Sequence, residues 1–212
     1  EERVAGARPQ DRAPHLAQFQ RTERAQFAEA EAAIAEADPI ARSLGSPRHR
    51  GAILRARGYL EEQRGDRPAA RASYAAAVAA GREAAVDSVL AVYLNDLAWL
   101  ELYDDNFDAA AIAAEEAVEL YRRGGDERGA LEAEPVLACV DAARGRVARA
   151  RKRLAALTKG ADKSDSESAR FVVLIAKAQV AEILGELPRA VALRRRLVQI
   201  AAGFGLPVLV IN

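Results

Sequence analysis

The sequence predicts an all-α protein, built as a solenoid of stacked antiparallel helical hairpins. Half of the residues are apolar but only 5% are aromatic, and alanine is abundant throughout. This composition favours close contacts between helices over sheets rich in β-branched residues. Turn-forming segments also recur every 40 residues, and each precedes an apolar stretch with helical periodicity. Such a regular spacing indicates a repeat protein whose unit contains two helices.

Four turn segments define the repeat, and they begin at Gly65, Asp105, Gly145 and Gly185. Each segment ends in an alanine that opens the second helix of its unit: Ala70, Ala110, Ala150 and Ala190. A small residue stands in the first helix seven positions before each turn: Gly58, Ala98, Ala138 and Ala178. Because helix backbones approach closely where side chains are small, these positions predict the contact between the two helices of each hairpin.

The two ends of the chain extend the pattern. Residues 25 to 30 fit the turn template, which predicts a fifth unit, and residues 208 to 212 match the start of a further helix. We therefore expect an irregular lead-in over residues 1 to 14 and a solenoid of about five repeats over residues 15 to 212. Turn-forming residues predict connections between units, at residues 44 to 47, 80 to 81, 124 to 126 and 160 to 166.

These residues resemble the tetratricopeptide repeat family, whose units pair two helices around a turn with small residues at set positions. The resemblance covers roughly residues 16 to 212 and implies a right-handed α-solenoid. The chain departs from the family in two general features: it lacks the closing proline, and its period is longer than the usual roughly 34 residues. It also departs at the family's usual tryptophan position, which holds Leu54, Leu94, Glu134 and Leu174. HEAT and armadillo repeats have a similar period and are the alternative, but the paired small residues fit this family better.

The longer period is similar to a variant found in bacterial signalling and regulatory proteins. There, such repeats adjoin kinases, nucleotide-dependent switches, transcription activators or caspase-like proteases. The resemblance therefore implies a sensory or scaffolding module that binds a protein or peptide, and docking to the rest of a longer chain is a further expectation.

Charge is balanced over the whole chain but unevenly distributed. Basic and acidic residues number 31 each, so net charge gives no general attraction to nucleic acid or to an anionic membrane. Residues 143 to 212 carry 14 basic and 5 acidic side chains, whereas residues 1 to 142 carry 17 and 26. The two parts of the molecule are therefore expected to differ in sign.

The sequence predicts no catalytic residue, no metal site and no cofactor. Its two histidines, His15 and His49, stand near no nucleophile motif and are expected on the surface. No Gly-rich phosphate loop or paired zinc-ligand spacing is present. The single cysteine, Cys139, lies among apolar residues and is expected in the core. A lone cysteine and the lack of a membrane segment or signal peptide favour a cytoplasmic location.

A groove lined by the first helix of each unit is the predicted binding site. The register aligns Arg55, Asn95, Pro135 and Ile175 in one row, and Tyr59, Trp99, Cys139 and Gln179 in the next. Stacked hairpins expose such rows along a concave surface, where hydrogen-bonding and aromatic side chains suit a bound peptide. The predicted partner-binding residues are Arg55, Tyr59, Glu62, Asn95, Trp99 and Tyr103.

Two alternatives remain open at this point. The basic residues of the second helices, represented by Arg149, Arg153, Arg189 and Arg195, predict a convex surface for an acidic protein or nucleic acid. Nucleic acid is the less favoured partner, because no aromatic residue is interleaved for base stacking. The apolar residues 206 to 211 predict instead a structural role in self-assembly or intramolecular docking.

Overall fold

The computed structural model consists of α-helices and short connecting turns over the residues that it describes. These are residues 9 to 203 for the backbone, and residues 25 and 27 to 201 for the side chains. This range contains consecutive α-helices and no strand: α1 (Pro9–Ser43), α2 (Pro47–Gln63), α3 (Arg67–Ala84), α4 (Asp87–Tyr103), α5 (Phe107–Arg123), α6 (Glu127–Ala143), α7 (Val147–Ser164), α8 (Glu167–Ile183) and α9 (Leu187–Gly203). Neighbouring helices pack in chain order, which confirms the predicted all-α solenoid.

The connections follow a spacing of 20 residues, half the predicted repeat. A residue with left-handed backbone, φ between 51° and 79°, stands at Gly45, Gly65, Ala85, Asp105, Gly125, Gly145, Asp165 and Gly185. Left-handed residues commonly end helices because they reverse the chain direction and let its last carbonyls accept hydrogen bonds. The same short connection thus joins helices within a hairpin and between hairpins.

Small residues bring the helices of each hairpin together, as predicted. A side chain at Gly58 would place its Cβ 2.7 Å from the ring of Tyr74 on α3, so only glycine accommodates this fully buried ring. Ala98, Ala138 and Ala178 stand at the equivalent positions and are completely buried.

The first helix corrects the predicted beginning of the solenoid. Helix α1 runs without interruption through residues 25 to 30, where a fifth turn was predicted, and it also covers residues 9 to 14 of the predicted irregular lead-in. The segment 25 to 30 consists of good helix formers and contains no glycine, so nothing in it ends the helix. Four regular hairpins, α2 to α9, therefore follow one long helix; residues 1 to 8 and 208 to 212 lie outside the described residues.

One of the four predicted connections between hairpins is wrong in position, and another is too long. Residues 80 and 81 lie inside α3. Of the predicted connection at residues 160 to 166, residues 160 to 164 belong to α7, and only residues 165 and 166 lie between α7 and α8. Gly81 faces Tyr93, with a hypothetical Cβ 3.0 Å from the ring, so this glycine serves close packing rather than a turn. The other two connections, around Gly45 and Gly125, are confirmed.

The core is largest in the middle of the chain. One cluster of buried residues joins α3 to α8, whereas smaller clusters lie between α7 and α8 and between α8 and α9. Within the described residues, no helix is both long and apolar enough to cross a membrane.

Arginine side chains join successive hairpins at the surface. Arg67 binds Asp104 and donates to the Tyr103 carbonyl at 2.8 Å, linking α3 to the end of α4. Arg82 binds Glu116 at 2.6 Å, and Arg151 binds Glu186 at 2.6 Å. These pairs connect residues 34 to 37 positions apart, so they tie each unit to the next.

Candidate binding site on helices α2 and α4

The six predicted partner-binding residues lie on two neighbouring first helices. Arg55, Tyr59 and Glu62 belong to α2, and the other three belong to α4. The guanidinium of Arg55 forms an ion pair with Asp96 across the two helices. Burial raises the pKa of the Asp96 carboxyl, against the opposing effect of this ion pair. The structure thus joins the two helices through a residue, Asp96, that the sequence did not single out.

Three aromatic side chains on α2 and α4 are partly exposed, and we name them together the aromatic strip: Tyr59, Trp99 and Tyr103. Tyr59 is 52% exposed, whereas the other two are half-buried. The rings of Trp99 and Tyr103 have centroids 5.8 Å apart and planes inclined by 31°. Trp99 also packs against the main core. The strip therefore combines rigid packing with accessible aromatic surface.

Glu62 gives the strip a negative charge. Its carboxylate is half-buried and accepts a hydrogen bond of 2.8 Å from the hydroxyl of Tyr74. Burial raises the pKa of Glu62, and the charges of Asp96 and Asp104 act in the same direction. Burial also raises the pKa of Tyr59, with a smaller contribution from Glu62. A cation at this place would relieve the accumulated negative charge.

Asn95, one of the predicted partner-binding residues, is half-buried on α4. Its Oδ1 is buried and accepts no hydrogen bond from the residues that the structure describes. An unsatisfied buried carbonyl of this kind costs about 1 to 3 kcal/mol. The Asn95 side chain is therefore partly exposed, but its carbonyl oxygen faces the interior.

A crevice continues the site toward the beginnings of α2 and α4. It has a volume of about 610 Å³ and is lined by Arg48, His49, Arg55, Val92 and Tyr93, among others. His49 is exposed, as predicted, whereas the side chain of His15 lies outside the described residues. The site thus has basic residues at one end and Glu62 at the other.

The rows predicted to continue along the solenoid are interrupted at α6. Pro135 and Cys139 are completely buried, and the sulfur of Cys139 lies 3.9 Å from the Ala176 carbonyl oxygen on α8. Burial raises the pKa of the Cys139 thiol to about 12. The prediction of a buried cysteine is confirmed. Because the residues at these positions are small, α8 packs over them. The buried residues of α6 interrupt both rows, so the accessible residues that precede this interruption lie on α2 and α4.

Ion pairs occupy most of the predicted basic surface. Arg149 and Arg153 both reach Asp141 on α6, with N–O distances of 3.1 and 3.4 Å, and the Asp141 side chain is only 5% exposed. Arg153 also binds Glu134 at 2.9 Å. The run of arginines on α7 therefore surrounds the buried Asp141 and the half-buried Glu134, which the sequence alone did not reveal.

The same pattern extends to α9. Arg189 binds Glu186 at 2.9 Å. Arg195 is exposed and makes no ion pair with the described side chains. The four predicted basic residues are thus not equivalent, and they do not form one continuous unpaired patch. Residues 206 to 211, the predicted assembly strip, lie outside the described residues.

The fold defines this protein as a helical-hairpin solenoid with a candidate binding face on α2 and α4. No protein-family model and no curated protein matches the sequence.

Proposed function

We propose that this chain is a non-catalytic scaffold that binds a protein or peptide segment along α2 and α4. The observation that carries the proposal is the aromatic strip beside Glu62, because partly exposed aromatic side chains are typical anchors of binding interfaces. Membership of the tetratricopeptide repeat family, a cytoplasmic location and a role as a module of a bacterial signalling protein belong to the same proposal.

The charge distribution of the site suggests the chemistry of the partner. Glu62 lies at one end, and Arg48 lines the crevice at the other end without an ion pair to the described residues. A segment that carries a basic side chain, a large apolar side chain and then an acidic side chain would match this order. The proposed orientation places the basic group at Glu62 and the apolar group on Trp99.

A selection from a library of random peptides displayed against the immobilised chain tests the proposal. We expect enrichment of sequences with Lys or Arg beside a large apolar residue. Affinities of the selected peptides would then be measured by fluorescence anisotropy. Replacing Trp99 by Ala should weaken them by at least about tenfold, which is typical for an aromatic anchor.

Charge variants provide the matched controls. Glu62→Gln should weaken basic peptides but leave their neutral analogues unchanged, whereas Lys152→Gln, an exposed residue on α7, should affect neither. Circular dichroism would establish that each variant retains its helices. Peptides that bind the Trp99→Ala and Glu62→Gln variants as tightly as the native chain would contradict the proposed site.

A further inference from the structure

A second cavity, remote from the aromatic strip, lies between α7, α8 and α9. Its volume is about 690 Å³, within the range of small-molecule sites, roughly 300 to 1,000 Å³. Its lining combines apolar side chains, including Phe171, Leu174 and Ile200, with the cations Lys177 and Arg196. A cavity of this composition suits a ligand that is apolar in one part and anionic in another.

Lys177 is the lining residue that most favours a bound anion. Its side chain is half-buried, and it makes no ion pair or hydrogen bond with the described residues. Burial lowers the pKa of its amine; the charge of Asp162 opposes this effect, whereas Arg196 and Arg189 reinforce it. A half-buried ammonium without a close counter-ion is costly, and a bound anion would offset that cost.

The corresponding groove at the other end of the solenoid carries its own counter-ions. There, Arg50 and Arg57 on α2 stand 120 positions before Arg170 and Lys177. Arg50 forms an ion pair with Glu83, and Arg57 lies 3.7 Å from Asp38. At the same offset of 120 residues, Glu83 corresponds to Gly203 and Asp38 corresponds to Thr158. The last groove therefore keeps the cations but lacks both of the equivalent carboxylates.

The two middle hairpins show that the fold itself does not require cations here. The positions of Arg170 and Lys177 are occupied by Leu90 and Leu97 in α4, and by Ala130 and Leu137 in α6. Arg170 is paired with the exposed Asp165 at 3.2 Å, so Lys177 is the unusual member. An apolar residue would satisfy packing at residue 177, and the lysine needs another explanation.

Within the part of the chain that the structure describes, carboxylates already present in the cavity form no ion pair with its two unpaired cations, Lys177 and Arg196. Asp162 and Glu167 also line it, but neither is within ion-pair distance of Lys177 or Arg196. In the equivalent groove between α3, α4 and α5, Arg82 and Glu116 close the space with an ion pair of 2.6 Å, and the volume falls to about 390 Å³. In the last groove the position of Arg82 holds an acid, Asp162, and the position of Glu116 holds a base, Arg196. Asp162 and Arg196 form no ion pair with each other.

We propose that the cavity between α7, α8 and α9 binds a small amphiphilic carboxylate, with Lys177 and Arg196 on the anionic group and Phe171, Leu174 and Ile200 around an acyl or aromatic body. The site is independent of the aromatic strip, because the two share no lining residue.

Isothermal titration calorimetry with octanoate, 1-octanol and acetate tests this assignment on the full chain. Octanoate should bind at least about tenfold more tightly than either of the others, because only octanoate meets both parts of the cavity. Equal affinity for octanol would show that the anionic group does not contribute to binding. Equal affinity for acetate would show that the apolar body does not contribute. Either result would contradict the proposal. Absence of octanoate binding in this titration would overturn the proposal.

Variants at residue 177 assign the effect to the lysine. Lys177→Leu restores the residue of the middle hairpins and should abolish the preference for octanoate over octanol while raising Tm. Lys177→Arg should retain the preference, and Lys159→Leu, an exposed lysine on α7, should leave it unchanged. If Lys177→Leu does not fold, Lys177→Gln serves the same purpose. Undiminished octanoate preference in the Leu or Gln variant would contradict the proposal.

Discussion

Asn95 illustrates how a single polar side chain can reduce stability within a helical repeat. Its Oδ1 is buried without a partner among the described residues, although its neighbours in α4 pack well. Polar residues that cost stability are often retained because they serve binding. The sequence identified Asn95 as a candidate binding residue but could not show which of its atoms is buried.

We predict that Asn95→Leu stabilises the protein, since leucine has the same branched side-chain shape and no unsatisfied oxygen. The gain should be about 1 kcal/mol, or about 2 to 4 °C in Tm for a chain of this size. Gln179→Leu is the control, because the Gln179 oxygen accepts a 3.0 Å hydrogen bond from Arg194 and its loss should destabilise. A lower Tm for Asn95→Leu, measured by thermal denaturation, would show that Oδ1 has a favourable role.

The raised pKa of Glu62 predicts a dependence of stability on pH. A carboxyl whose pKa is raised by folding stabilises the protein fully below its ordinary pKa, and this contribution is lost as pH rises through the folded-state value. Glu62→Gln should remove that loss in urea denaturation between mildly acidic and neutral pH. Glu182→Gln is the opposite control: a hydrogen bond from Arg194 lowers the Glu182 pKa, so its stabilisation is lost as pH falls. An unchanged pH profile in Glu62→Gln would contradict the prediction.

At the scale of the helical element, the connection between α3 and α4 is the least favourable in composition. Ala85 adopts the left-handed conformation that glycine adopts at five equivalent positions. Ala85→Gly should therefore stabilise the protein by about 0.5 to 1 kcal/mol. Ala79→Gly, at an exposed position inside α3, should instead destabilise it by a similar amount. Chemical denaturation would measure both, and equal losses in the two variants would refute the role of the backbone conformation.

Ala85 also shows why some connections between helices could be predicted from the sequence and others could not. The hairpin turns were found because Gly65, Gly145 and Gly185 mark them. The connection at Ala85 carries no glycine, so the nearby Gly81 was taken for a turn although it accommodates Tyr93. The connection at Asp165 was predicted to begin at Gly160, but this glycine lies inside α7 and accommodates Leu131. Glycine has two uses, reversal of the chain and close packing, and one sequence does not distinguish them.

The candidate site could be predicted only in part, because the sequence gives the register of the repeats but not the contacts between distant helices. The 40-residue register placed Tyr59, Trp99 and Tyr103 on two adjacent helices, and they remain partly exposed there. The register could not predict that α8 closes over Cys139, nor that Asp141 pairs with arginines of α7. Both depend on contacts between helices that are distant in sequence and on the orientation of side chains across them.

At the scale of the whole molecule, unequal core size predicts unequal local stability. The largest buried cluster has most of its members in α4, α5 and α6, whereas α9 contributes only to a small cluster with α8. Repeat proteins are stabilised mainly by contacts between neighbouring units, so their ends open first. Amide hydrogen exchange should therefore be slowest in α4 to α6 and faster in α9. Uniform protection across all helices would indicate a single cooperative unit instead.

The complete burial of the middle of α6 has a consequence for the relation between the two proposed sites. The aromatic strip lies on one side of this helix, and the Lys177 cavity lies on the other. With no shared side chain, occupancy of one site should leave the affinity of the other unchanged, unless α6 itself shifts. Simultaneous loading would then make the chain an adaptor whose two inputs act additively, and any departure from additivity would measure the movement of that helix.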